Sequence, residues 1–449
     1  MKRAAAVLLC LCLVFCLSSC KKKKNDRFIF GNSSESVTYD SSSDKKYNDD
    51  YFKNESNSSQ SFSEKTETKS QTASAEKPEK SYEKTNEDLS GWYFKHLTVK
   101  QKELYKKIDA VAYNMKTGYF DLGKCEYSDV LLAFKSVVSD RPEYFWLSNN
   151  YMLKANKQKN GYLICLSGDG NVEYLCTRAN KVVMETQMES AFLEIKKLCQ
   201  KVSGDYNKEL TVHDWLAKRI TYDSEAAADY NGNRETDPLS FTSYGGLVER
   251  QNGKSVAVCE GYAKAFKYVL KRLNIESVLI TGEFDGTGHM WNAVKIKNKW
   301  YNVDVTADDT EDNLSHAFFN ATDKAIEKTH KKDRDFYKAG MSAIEKGEYN
   351  LFAPKCDTVT YNYFVKNGLV ISSNSEAAEI ISKRIIDKFS DSSAEFCFAD
   401  EGNTVYKSHN IMEIINQEKI IETVSKHTEK EFSFKAVGVE NSKAFRIVW

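Results

Sequence analysis

Proline is scarce: the 449-residue chain has four, so no stretch reads as a proline-rich spacer. Neither charge is in surplus, with 64 Lys and Arg against 64 Asp and Glu. No basic stripe interrupts that balance, which argues against a nucleic-acid partner. Long apolar runs are missing too. The one candidate, Ala4 to Leu17, is shorter than the roughly 20 residues that a bilayer-spanning helix needs. No C-x-x-C pair and no Cys/His cluster occurs, so neither a metal nor a cofactor is expected. No internal repeat is evident. The eleven cysteines are too scattered for a dense disulfide framework. Four of them, Cys10, Cys12, Cys16 and Cys20, fall in the first twenty residues. The other seven are Cys125, Cys165, Cys176, Cys199, Cys259, Cys356 and Cys397. That odd number fits one free reactive thiol. Among the remainder, Cys165 and Cys176 on facing strands are the best-placed pair for a bridge, and others read as buried thiols.

What the chain does contain begins with Lys2-Arg3 ahead of the apolar run, the pattern of a secretory signal. Leu17-Ser18-Ser19-Cys20 resembles the lipobox of bacterial lipoproteins. That resemblance implies cleavage before Cys20, lipidation of its thiol, and residence on the outer side of the cytoplasmic boundary, anchored in a cell membrane. Residues 21–88 are rich in Lys, Ser, Glu, Asn and Thr and poor in apolar side chains. Such a segment cannot bury enough surface to offset its ordering entropy, so it is expected to be a disordered tether. Its r.m.s. span would be on the order of 45 Å.

The remaining stretch of about 360 residues is enough for two or three domains with real cores. Residues 89–203 read as an N-terminal α+β module. Thr98 is placed to cap a helix from Val99 to Asn114, and Tyr127 to Val138 reads as a second helix. Tyr151 to Lys157 and Gly161 to Ser167 read as a hairpin with a third strand at Val172 to Cys176. A long helix runs from about Val182 to Val202. The aromatic cluster at Phe145 and Trp146 reads as core. Residues 204–325 read as the central domain. Residues 326–449 read as a linker and a C-terminal α+β module, expected to serve as scaffold or binding surface.

The chemistry concentrates between Val256 and Asp309. Cys259 opens a predicted helix whose Tyr262, Phe266, Val269 and Leu273 recur at helical spacing. His289 follows the run Gly286-Thr287-Gly288 and opens a predicted strand. Lys297-Asn298-Lys299 reads as a hairpin turn, and Trp300 to Val305 runs back, carrying Asp304. A thiol, an imidazole and a carboxylate in this order are the parts of a thiol acyl-transfer site. A helix N-terminus and an adjacent imidazolium both favour the thiolate, and the carboxylate holds the imidazole in its useful tautomer. A simple turn at Asn298, however, sets Asp304 opposite Trp291 to Ala293 rather than His289. A twist, a bulge or a longer turn is expected to close that gap.

The motifs Ala257-Val258-Cys259-Glu260-Gly261-Tyr262-Ala263, Gly288-His289-Met290-Trp291-Asn292 and Trp300-Tyr301-Asn302-Val303-Asp304-Val305-Thr306 resemble those of the transglutaminase-like superfamily of the papain-type thiol fold. The resemblance extends upstream to Val212-His213-Asp214-Trp215-Leu216, Ile220-Thr221-Tyr222-Asp223 and Tyr244-Gly245-Gly246-Leu247. It implies an α+β core in which the helix bearing a nucleophilic Cys259 packs on an antiparallel sheet, flanked here by two smaller α+β modules. It implies a Cys259, His289, Asp304 triad acting through a thioester on peptide or protein amides. Relatives include peptidases, cross-linking enzymes and inactive scaffolds, so hydrolysis, cross-linking and a pure binding role all stay open. Relatives often carry Trp where this chain has Ala307, which implies a more open wall beside Asp304.

The backbone N–H of Cys259 is the best oxyanion donor. Tyr244 is a candidate for the cleft wall and a further donor, against the plainer reading of a packed ring. His213 reads as packing. Asp308-Asp309-Thr310-Glu311-Asp312 lacks the spacing of a calcium loop and reads as a solvated acidic stretch. His316 and His330 show no partner in the sequence. Ala317-Phe318-Phe319-Asn320 reads as a further strand of the central sheet.

Overall fold

A computed structural model describes residues 91–449 apart from 118, 148–153, 159–160, 166–173, 229–236, 251–252, 311–312, 341–342, 344–347, 400–410, 413 and 440–441. The expected signal, the lipidation site at Cys20 and the tether lie outside the described residues. The described chain is α+β. Its centre is the helix Cys259–Arg272, buried on almost every face. Tyr262, Phe266 and Val269 give it the expected stripe, and Ala263, Ala265 and Leu270 bury the flanks. Asn274 ends it in the left-handed region at φ 59°, where Asn is tolerated because its short polar side chain bonds locally. Ile275 N–H then returns to Leu270 O at 2.9 Å.

This helix packs on a four-stranded antiparallel sheet. In spatial order the strands are His330–Lys332, Ser277–Phe284, Thr287–Ile296 and Lys299–Val303. Both tight hairpins are two-residue loops. Asp285 and Gly286 have φ of 48° and 79°, and Lys297 and Asn298 have φ of 48° and 64°. Two consecutive positive φ values give the turn whose twist matches that of the strands. A separate parallel pair, Ile220–Tyr222 with Ser255–Ala257, leads into the thiol helix. The predicted strand at Ala317-Phe318-Phe319-Asn320 is a turn instead. Its Phe319 N–H bonds His316 O locally, and the sheet's outer strand comes from His330–Lys332.

The helix Val99–Tyr113 begins at Thr98 with a capping box shared with Gln101. It packs with Tyr127–Asp140 and, further on, with the long helix Arg178–Cys199 through a common apolar core. The hairpin is Lys154–Gln158 with Gly161–Cys165. A further strand of this sheet is Tyr119–Asp121; of the strand expected at Val172 to Cys176, residues 172–173 lie outside the described residues and 174–176 form no strand. Cys176 is a free thiol, as are Cys125, Cys199, Cys259, Cys356 and Cys397. The expected Cys165 to Cys176 bridge is therefore absent. Phe145 and Trp146 are core residues.

One apolar core runs from Leu97 to Tyr349, so the first helices and the thiol helix are packed in one mass. A second core, Phe364 to Ile447, lies under the C-terminal sheet of Val370–Ile371, Ser393–Phe398, Ala444–Val448 and Lys435–Gly438. The helices Asn374–Asp387 and Gln417–Thr428 cover it.

Candidate active site

Cys259 is the first residue of its helix, and Val258 occupies the cap position. Valine has no side-chain acceptor, so no cap bond is made to the first-turn N–H groups. The segment before the thiol is tied at several points. Val258 N–H donates to Ser240 O at 3.0 Å, and Asp223 N–H donates to Ala257 O at 3.0 Å. Arg250 donates to Val256 O and pairs with Asp237. The connection from Tyr244 to Cys259 is thus fixed by Arg250. The opposite wall is also tied: Asn292 Nδ2 donates to Ala263 O at 3.1 Å, joining the histidine strand to the thiol helix.

His289 lies in Thr287–Ile296, and its Nε2 donates to Asp304 Oδ2 at 2.6 Å. The Cys259 thiol acts on the same ring and favours its charged form. With Nε2 committed to Asp304, Nδ1 is the nitrogen left for the sulfur. The register that set Asp304 away from His289 is real: Asn292 faces Val303, which places Trp291 opposite Asp304. No bulge or longer turn corrects it. Residues two apart on a strand share a face, so His289 and Asp304 form a diagonal cross-strand pair, close enough for long side chains to meet. Asp304 also leaves the ladder at this point. Its N–H donates to Phe318 O at 3.2 Å, and its side chain caps the short helix Val305–Asp308.

Each carboxylate oxygen of Asp304 has two donors. Oδ1 accepts from the N–H groups of Thr306 and Ala307 at 3.0 and 3.1 Å. Oδ2 accepts from His289 and, at 3.0 Å, from His330 Nε2. His330 is a component that the sequence reading left without a partner. It sits on the strand next to Ser277–Phe284, boxed by the rings of Phe284, Trp291 and Phe318. Its Nδ1 contacts the Thr329 hydroxyl at 2.8 Å. Nothing in spacing reveals it, since it reaches Asp304 across 26 residues.

The electrostatics follow from this wiring. Burial alone disfavours a charged His289, but Asp304 and Cys259 outweigh it and raise the imidazole to about 10. Burial likewise opposes an ionised Asp304, yet His289 and His330 hold its carboxyl well below the usual range. Cys259 keeps 4 % of its surface and His289 8 %. The exposed group here is Tyr222, 42 % accessible. Its hydroxyl is pushed up by burial and by the charges of Cys259, Asp304 and Asp223. A cavity of about 500 Å³ bounded by Lys332, Arg334 and Lys338 lies on the far strand and is not lined by the thiol.

Tyr244 goes elsewhere. Its hydroxyl donates to Gln187 at 2.7 Å, and its ring packs 5.3 Å from Phe145. It anchors the N-terminal helices and takes no part in the thiol's surroundings, which corrects the expectation of a cleft residue. Of the acidic stretch, Glu311 and Asp312 lie outside the described residues, and Asp308 and Asp309 are not free in solvent as expected. Asp308 is fully buried against His213, and Asp309 accepts from Tyr262. Ala307 is half-buried beside Phe318.

Residues 195–305 match the sequence profile of the transglutaminase-like superfamily, a span that takes in all three residues of the thiol, imidazole and carboxylate set. The chain carries a transglutaminase-like domain. Over 144 residues it is 29 % identical to kyphoscoliosis peptidase of Mus musculus, a match covering 30 % of this chain and 20 % of that protein. The Homo sapiens kyphoscoliosis peptidase is 30 % identical over 122 residues, covering 25 % of this chain and 17 % of the relative. The chain therefore spans a fifth or less of the length of these curated relatives. A solved TGase structure shares 19 % identity over 37 % of this chain and 46 % of its own, with a TM-score of 0.26.

Proposed function

We propose that this transglutaminase-like domain is a thiol-dependent acyl-transfer enzyme that hydrolyses peptide or protein amides. The reading is carried by one observation: a 2.6 Å hydrogen bond from His289 to Asp304 on a ring whose charged form the Cys259 thiol also favours. In this mechanism His289 takes the thiol proton, giving a thiolate and imidazolium pair. The sulfur attacks the amide carbonyl carbon, and the resulting oxyanion meets the uncapped N–H groups at the start of the thiol helix. His289 returns its proton to the leaving amine. Water then resolves the thioester, with His289 accepting a proton from it, and the free thiol is regenerated. Asp304 holds the ring throughout. The name of the mammalian relatives favours hydrolysis over transfer to an amine.

The test is alkylation of the full chain by iodoacetamide near pH 6, read by peptide mass spectrometry. Fast selective labelling of Cys259 that His289→Ala abolishes is the expected result. Labelling at the rate of a model thiol would leave a binding module on the same fold. Incubation with mixed protein substrates then separates the two chemistries: new N-termini mark hydrolysis, and incorporation of a fluorescent amine marks cross-linking.

We also propose that Cys20 carries the lipid and that the domain works tethered at a membrane surface. Support comes from Leu17-Ser18-Ser19-Cys20 and the polar stretch behind it. Among the described residues no helix is long and apolar enough to cross a membrane. Metabolic labelling with a fatty-acid analogue should mark the wild type and spare Cys20→Ser. Equal labelling of both would remove the anchor.

A further inference from the structure

A second group of ionisable side chains lies outside the thiol site, where the central domain meets the C-terminal module. His213 and Asp214 come from the helix Asp205–Arg219, His316 from the turn after Asn313–Leu314, Asp308 from the short helix Val305–Asp308, and Glu395 from the strand Ser393–Phe398. Both imidazoles aim one nitrogen at the same oxygen. His213 Nδ1 is 3.1 Å and His316 Nε2 3.0 Å from Asp214 Oδ1. The three atoms lie within 4.8 Å of one another. Each ring's other nitrogen is held by an outer carboxylate: His213 Nε2 by Asp308 at 3.2 Å and His316 Nδ1 by Glu395 at 2.6 Å. His213 is wholly buried, and His316 stacks on Tyr363 with ring centroids 3.9 Å apart.

Two features distinguish this from an ordinary ion network. First, an outer carboxylate behind a converging imidazole is how proteins fix the tautomer and direction of a metal-binding histidine. Here both rings have one. Second, the charges leave room for a dication. Asp214, Asp308 and Glu395 supply three negative charges, and Arg446, 2.6 Å from Glu395, supplies one positive charge. Without an ion, each ring faces carboxylate acceptors at both nitrogens, so two imidazolium protons complete the balance, and a dication held by neutral rings would replace them charge for charge.

We propose that His213, Asp214 and His316 bind one divalent transition-metal ion of the zinc class. Two imidazoles and a carboxylate suit zinc and its neighbours, not calcium or magnesium, which take oxygen ligands. In a tetrahedral zinc site with bonds of about 2.0 Å, ligand atoms lie about 3.3 Å apart. The two separations at Asp214 need only small adjustment, and water takes the fourth position. The ion would clasp the helix Asp205–Arg219 to the segment leading into the C-terminal module. It would also brace the thiol site from behind. Asp308 ends the short helix that Asp304 caps, and its N–H donates to Asp304 O at 3.1 Å. Sequence spacing hid the set, because His316 lies 102 residues beyond Asp214.

The full chain, stripped with a chelator, should take up one zinc ion per molecule in a calorimetric titration with zinc chloride and melt at a higher temperature once loaded. Calcium chloride should do neither. His213→Gln and His316→Gln should each weaken zinc binding by about 100-fold, and His330→Gln should leave it unchanged. Failure to bind zinc at about 100 µM overturns the proposal, that being far weaker than a structural site. So does binding that survives both of the first two substitutions or is lost with His330, which would place the ion on Asp304. Should either variant fail to fold, cobalt loading of the wild type decides. Ligand-field bands of a tetrahedral nitrogen and oxygen site support the assignment, and their absence at saturating cobalt ends it.

Discussion

Asp304 is the most heavily wired residue of the thiol site, and His330 is the part of its wiring with no place in the three-residue set. Removing a donor from a buried carboxylate costs about 1–3 kcal/mol. His330→Gln should therefore lower stability by that order and free Asp304 to turn, slowing alkylation of Cys259 by roughly 10-fold, one decade being about 1.4 kcal/mol. Asp304→Asn should slow turnover much more, by about 10⁴-fold, because the ring is then held in the wrong tautomer. Equal rates for His330→Gln and wild type would reduce His330 to filling. The same wiring sets a pH signature. His289 rises on folding from 6.5 to about 10, so its contribution to stability is whole below pH 6.5 and lost as pH climbs to about 10. Asp304, shifted the other way, contributes throughout that window and loses its contribution only in acid. Urea unfolding at about pH 6, 8 and 10 should show the gap between wild type and His289→Gln narrowing with rising pH. A gap of constant size would mean that the imidazole is not held charged.

The thiol helix owes its position to close approach at its first turn. A Cβ on Gly261 would stand 2.4 Å from Ser240 O and 2.8 Å from the Ala257 side chain. These atoms belong to the turn Pro238–Phe241 and the strand Ser255–Ala257, and neither can retreat without moving Cys259. Gly261→Ala should cost about 1–3 kcal/mol, as overpacking does, and should slow thiol labelling. Gly340→Ala, where a Cβ meets nothing within 4 Å, should do neither. Chemical denaturation and labelling rates measured side by side would check both. If Gly261→Ala proved neutral, the helix could slide and the site would not be pre-set. Elements such as this one were legible in the sequence because local signals agreed with the global fold. The cap at Thr98, the apolar stripe after Cys259 and the turn at Asn298 each state their structure locally. The failures have the opposite character. Ala317-Phe318-Phe319-Asn320 is apolar enough for a strand, but Asp304 and Asp308 take the Phe318 carbonyl and N–H. His330, His316 and Asp308 draw their meaning from partners far along the chain. Tyr244 sits in a motif that carries the resemblance, yet its neighbours, Gln187 on the helix Arg178–Cys199 and Phe145 in a turn, come from outside that motif.

At the scale of the molecule, two apolar cores meet across a polar seam. The first ends at Tyr349 and the second begins at Phe364. Between them stand His316 on Glu395, Arg446 on Glu395 and on the Leu314 carbonyl, and Asn362 donating to Phe319 O. Each mass has its own apolar core, and the seam's buried charges, with Tyr363 packed against both cores, tie one mass to the other. Removing one member of a buried pair leaves its partner desolvated and costs about 3–5 kcal/mol. The Glu395 side chain is 5 % exposed and that of Arg446 14 %, so Arg446→Ala falls at the low end of that class, because His316 still holds the other Glu395 oxygen. Because the loss lands on the strand pair Ser393–Phe398 and Ala444–Val448, it should fall on the C-terminal module and spare the core that holds Cys259. Calorimetry should then resolve an earlier transition, lower by on the order of 10 °C or more for a module of this size. Labelling of Cys259 at low temperature should continue at the wild-type rate. A single shifted transition that took thiol labelling down with it would show instead that the two masses fold as one, and that the C-terminal module is a structural part of the thiol site.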